Sequence, residues 1–121
     1  MIDYSVIPEG ALPRRASISS ITLAELSQGP HLTDDPGTRA LRLERLQELE
    51  SAIPSVIPFG AAEARIYGSL VGLVVASGRL PRARRLDLMI AATAAAHDLP
   101  LYTRNGPDFL GLEGRVRVVA V

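Results

Sequence analysis

The chain has 121 residues, 47% of them apolar, with 13 basic and 13 acidic side chains and so no formal net charge. That size suits one domain around one core, here residues 1–121, and the balanced charge excludes the overall basic field by which strongly basic domains attract nucleic acid. The absence of cysteine excludes disulfides, thiolate metal sites and cysteine nucleophiles; apolar runs such as 70–76 fall far short of the ~20 residues of a bilayer span, and no basic-then-apolar leader opens the chain, so a cytoplasmic protein without membrane contact is expected.

Residues 16–19 read as a short strand. Thr22, with Leu23, Ala24 and Leu26, then starts a helix that stops near Gly29-Pro30, where glycine tolerates the left-handed cap and proline cannot continue. Asp34-Asp35-Pro36 offers an N-cap with proline in the first turn, and Leu41, Leu46, Leu49 and Ile53 recur at helical spacing through an Arg/Glu-rich segment. Residues 55–59 form a short β-branched stretch between two prolines. A helix rich in small residues follows over 61–77, ending at Gly78. Residues 79–85 are a basic connector. The next helix runs from about 84 to 97, a strand occupies 101–103, and valines mark a terminal strand over 115–121. Strands alternating with helices predict an α/β fold with a parallel sheet covered by helices.

Three acids stand out. Glu25 lies inside an apolar helical stretch, Asp87 heads an almost wholly apolar helix, and Asp108 sits in a turn after a buried strand. Bringing such carboxylates together is costly unless a cation neutralises them, and hard oxygen donors select Mg²⁺ or Mn²⁺. Each acid also has a structural explanation. Thr22 and Glu25 stand at the spacing of a capping box. Asp87 in a first helical turn is favoured by the helix dipole, by ~0.3–1 kcal/mol. Asn105-Gly106-Pro107-Asp108 is ordinary turn composition. All the basic residues are arginine, and Arg14, Arg15, Arg79, Arg82, Arg84, Arg85 and Arg104 could line a phosphate backbone or form a solvated surface. His31 and His97 lack metal-ligand spacing and read as structural. No G-x-S-x-G elbow or glycine-rich phosphate loop is present.

Taken together, the runs Ile18-Ser19-Ser20-Ile21-Thr22-Leu23-Ala24-Glu25-Leu26-Ser27-Gln28-Gly29, Arg84-Arg85-Leu86-Asp87-Leu88-Met89-Ile90-Ala91-Ala92-Thr93-Ala94 and Leu99-Pro100-Leu101-Tyr102-Thr103-Arg104-Asn105 with Asp108-Phe109 resemble a PIN domain of the VapC toxin type. The resemblance covers most of the chain from residue 16 onward. It implies a small α/β PIN-like fold and a Mg²⁺-dependent endoribonuclease (Mn²⁺ as a substitute) acting on structured RNA. It also implies a VapB-like antitoxin partner and a homodimer. Glu25 matches the acid of E-L-x-x-G, Asp87 the acid before I-A-A-T-A, and Asp108 the acid of T-R-N-x-x-D-F, all three as metal-holding catalytic residues. Asn105 fills a place where some relatives carry Asp. The departure is N-terminal: such chains normally begin with an apolar strand ending in D-T-S. Asp3-Tyr4-Ser5 is either a variant of that motif or lies downstream of it, so the first strand is expected to be missing or truncated. The alternative function is a catalytically impaired PIN-like module that recognises antitoxin or RNA without cleavage. A receiver-type signalling domain would need an acidic pair at an early strand end, which this sequence lacks.

Overall fold

Capping chemistry sets where the elements begin and end. The computed structural model describes Met1 and residues 17–52, 55–80 and 84–121. Strand β1 (Ser17–Ser19) runs directly into helix α1 (Ser20–Gln28). Ser19 is the N-cap, its Oγ accepting from the Ile21 amide at 3.0 Å and so satisfying one of the four amides left unpaired at a helix start. Gly29-Pro30 ends α1 and opens a 3₁₀ turn, Gly29–Leu32. Helix α2 (Pro36–Ala52) starts behind Asp35, whose carboxylate accepts from the Thr38 amide at 2.8 Å and the Thr38 hydroxyl at 2.6 Å. These bonds hold the Asp35 carboxyl below its ordinary pKa, the hydroxyl bond contributing most.

Strand β2 (Ser55–Ile57) pairs parallel to β1, Ile18 opposite Val56. Helix α3 (Ala61–Ala76) follows. It closes with Gly78 at φ +81, the Gly78 amide donating to the Val75 carbonyl at 3.0 Å and the Arg79 amide to Val74 at 3.1 Å, the paired bonds that glycine in the left-handed region makes possible at a helix end. Helix α4 (Arg85–Ala96) ends in the same way, but with Asp98 at φ +50 in the glycine role and the Leu99 amide donating to Ala94 at 2.9 Å. Strand β3 (Leu101–Thr103), a second 3₁₀ turn (Gly106–Phe109) and strand β4 (Val118–Ala120) complete the order, β4 lying parallel to β3 with Tyr102 opposite Val119.

The core forms around α4. Leu88 and the unbroken run Ile90, Ala91, Ala92, Thr93 and Ala94 are buried, so this helix is covered on several faces rather than along one stripe. Its alanines let α3 come close, with Leu70 and Val74 packed against it. Leu101, Phe109, Leu112 and Val116 close the other side. Each fully buried side chain of leucine or phenylalanine size contributes ~1.5–3 kcal/mol relative to exposure. No helix among the described residues is long and apolar enough to cross a membrane.

The strands differ from one continuous sheet. Among the described residues they form two separate parallel ladders, β1–β2 and β3–β4. Beside β3 lies Met1: its carbonyl accepts from the Tyr102 amide at 2.8 Å, and its amino group donates to the Pro100 carbonyl at 2.7 Å. The Leu101 amide donates instead to Arg117 on the approach to β4, at 2.7 Å. Successive strand amides point to opposite edges, so Met1 lies on the edge of β3 away from β4. The expectation about the first strand, Asp3 included, falls on residues 2–16, outside the described residues.

Candidate active site

The structure puts Glu25 within α1, Asp87 in the first turn of α4 and Asp108 in the 3₁₀ turn after β3, all three half-buried. Helix α1 packs against α4, and α4 against that 3₁₀ turn. The acid-bearing elements therefore adjoin, with α4 between the other two. Among the described residues, however, no group of three or more His, Cys, Asp or Glu side chains is close enough to hold one metal ion. The donor set is chemically suited to a hard divalent cation; what the fold supplies is adjacency of the three elements, not three carboxylates gathered at one point.

One further polar atom belongs to this region. Thr22 is buried, 3% exposed, and its Oγ1 is without a hydrogen-bond partner among the described residues. It precedes Glu25 by three positions, so the two share one face of α1. Buried hydroxyls are normally paired with protein, water or an ion, so any partner of the Thr22 hydroxyl lies outside the described residues.

The structure also decides among the local explanations for the acids. The Thr22–Glu25 capping box does not form, because Ser19 is the N-cap and Thr22 is already inside the helix. Glu25 is thereby released from a capping role. Asp87 does occupy the first turn of α4, where the helix dipole favours a carboxylate whether or not it also binds a ligand. The turn carrying Asp108 is tied by the Asn105 amide donating to Thr103 Oγ1 at 3.0 Å and by the Asp108 amide donating to the Asn105 carbonyl at 2.9 Å. Half of a capping box, the acidic arm alone, does exist elsewhere. The Glu63 carboxylate accepts from the Gly60 amide at 3.2 Å at the start of α3, and also meets His97 Nε2 at 3.0 Å at the end of α4. His97 is thus structural, as its lack of metal-ligand spacing predicts.

The arginines divide. Arg85 and Arg104 are exposed, as phosphate contacts require. Arg79 and Arg84 spend donors on main-chain carbonyls at residues 107–110. This use was invisible in sequence, because the acceptors lie more than twenty residues downstream. Arg14, Arg15 and Arg82 lie outside the described residues.

No protein-family model matches the chain. Ribonuclease VapC5 of Mycobacterium tuberculosis is 36% identical to it over 113 residues, an alignment that spans 93% of this chain and 79% of that protein. The chain belongs to the VapC ribonuclease family. A second VapC ribonuclease, from Rickettsia bellii, is 32% identical over 95 residues, spanning 78% of this chain and 69% of its own length. The crystal structure of VapBC-5, a toxin–antitoxin system member from Mycobacterium tuberculosis, superposes with a TM-score of 0.85 at 31% identity, covering 99% of this chain and 96% of that one. FitAcB from Neisseria gonorrhoeae superposes at 0.64 with 30% identity, over 83% of this chain and 70% of that chain. This VapC-family chain therefore has its α/β PIN-like fold from end to end of the VapBC-5 match, and Glu25, Asp87 and Asp108 lie within the span it shares.

Proposed function

We propose that this chain is the toxin of a type II toxin–antitoxin system, an endoribonuclease that hydrolyses RNA phosphodiesters with Mg²⁺, or Mn²⁺ in its place, held by Glu25, Asp87 and Asp108. The reading is carried by the 36% identity to ribonuclease VapC5 across 93% of the chain. It is supported by the adjacency of the three acid-bearing elements. When bound, a divalent ion lowers the pKa of a coordinated water and offsets phosphate charge. The residues of the chain do the rest. Asp87 projects from the first turn of a helix anchored in the core, while Asp108 sits on a turn that the Thr103 hydroxyl and main-chain bonds hold in shape. Exposed Arg85 and Arg104 provide guanidiniums for backbone phosphates, which place the RNA without reading its sequence. A VapB-type antitoxin is the proposed inhibitor, since the solved neighbours include a VapBC toxin–antitoxin pair, and a homodimer is the proposed assembly.

The test is cleavage of total RNA by the purified chain with Mg²⁺, with EDTA, and with Asp87→Asn. Chelation should abolish cutting, and Asp87→Asn should lower the rate by about 10²-fold or more, the scale of loss when reacting groups are misplaced by ~1 Å. Cleavage indifferent to both refutes the reading. A second reading, an impaired module that binds antitoxin or RNA without cutting, is favoured by one observation: the described acids do not form a ligand group. Tight binding to a VapB-type partner with no metal-dependent cleavage selects it.

A further inference from the structure

Arg84 immediately precedes α4 and stands three residues ahead of Asp87. Its Nη1 donates to the main-chain carbonyls of Asp108 and of Pro107, the latter at 3.4 Å. Beyond the end of α3, Arg79 Nη1 donates to the Leu110 carbonyl at 3.3 Å. The Pro107 carbonyl also accepts from the Leu110 amide that caps the turn, at 3.4 Å, and a cationic donor suits carbonyls at the end of a helical turn in both charge and hydrogen bonding. Arg84 is half-buried and its guanidinium is turned onto those carbonyls, whereas the neighbouring Arg85 is exposed. A single side chain thus links the start of the helix bearing Asp87 to the turn bearing Asp108.

We propose that Arg84 is a positioning residue, fixing the separation of Asp87 and Asp108 by clamping the 3₁₀ turn against the start of α4, and that it does not contact the RNA backbone. Arg79 braces the same segment from its far end. The proposal rests on the functional reading above only in the consequence for rate; the clamp itself is a statement about the turn. Lysine cannot replace it fully, because both bonds leave one nitrogen held in the rigid guanidinium plane, and a freely rotating ammonium on a flexible stem fixes no such direction.

Three variants test this. Arg84→Met keeps the aliphatic stem and removes the donors, Arg84→Lys keeps the charge with a poorer donor geometry, and Arg85→Met removes a guanidinium exposed to solvent. For Arg84→Met, kcat should fall by about 10-fold to 10²-fold, and the Mn²⁺ concentration giving half-maximal rate should rise. KM for RNA and the salt dependence of RNA affinity measured in EDTA should stay as in the wild type, and Arg84→Lys should recover part of the rate. Arg85→Met should instead reduce the salt slope by about one. A lowered salt slope and raised KM at unchanged kcat in Arg84→Met would make Arg84 an RNA contact and overturn the proposal. If the wild type itself cuts nothing, the functional reading fails while the clamp is still judged by hydrogen exchange: the amides of Asp108 and Leu110 should exchange faster in Arg84→Met, with those of α4 unchanged. Equal exchange overturns it. Should Arg84→Met not fold, Arg84→Lys gives the same comparisons at smaller amplitude.

Discussion

At the scale of single residues, the orphaned hydroxyl of Thr22 makes the sharpest prediction. An unpaired buried hydroxyl costs ~1–3 kcal/mol of desolvation, and valine has nearly the same shape without it. Thr22→Val in EDTA should therefore unfold at higher denaturant, by about 1 kcal/mol of added stability. A loss of that size would show that the hydroxyl is paired outside the described residues, with protein, water or an ion, even without added metal. The three acids stood out in sequence as candidates, each an isolated carboxylate in an apolar or turn context. The capping role of Ser19 was not, because Ser19, Ser20 and Thr22 are all competent N-caps and the apolar period cannot choose among them. Only the observed bond from the Ile21 amide to Ser19 Oγ does so. The inward roles of Arg79 and Arg84 were hidden for a related reason: a guanidinium's acceptor can come from any part of the chain, and here it is main-chain oxygen, which leaves no mark in sequence.

Between elements, α3 and α4 form the most extensive helix pairing and are stapled at one end by Glu63 and His97. The Glu63 carboxyl is held below its ordinary pKa, first by the amide of its own residue at the start of α3 and next by His97. A carboxylate whose folded pKa is depressed contributes stability that is complete above its unfolded value, ~4.3 for Glu, and is lost as pH falls through the folded value. Glu63→Gln should accordingly melt below the wild type at neutral pH. The gap should close as pH drops through and below ~4. A gap independent of pH would assign the effect to packing alone. Element order and most helix ends were readable, since Gly29-Pro30, Asp35-Pro36 and Gly78 are strong local stop and start signals. The terminal strand contracted from the expected 115–121 to Val118–Ala120. Valine content marks β preference, but pairing is limited by its partner, and β3 offers only Leu101–Thr103. The Glu63–His97 pair joins residues 34 apart in sequence, a separation no local pattern reports.

For the molecule as a whole, fold class followed from the alternation of strands and helices, and the family from motifs spread along the chain. How the strands join did not follow. Two parallel ladders with Met1 bonded beside β3 are a tertiary arrangement that short strands of three residues cannot encode locally. The assembly of the acids is likewise a property of the whole: adjacency is fixed by how α1 and the 3₁₀ turn pack on α4, whereas ligating distance depends on side-chain placement to within about an ångström. Because Leu88 and residues 90–94 of α4 are buried in the core, the helix that carries Asp87 is anchored directly behind its first turn. Peripheral catalytic loops often fail on warming well before a protein melts. This chain should keep its cutting rate until the cooperative transition itself, so that half-inactivation and the calorimetric midpoint fall at the same temperature. An enzyme that went silent many degrees earlier would locate the weak point in the 3₁₀ turn that carries Asp108 rather than in α4.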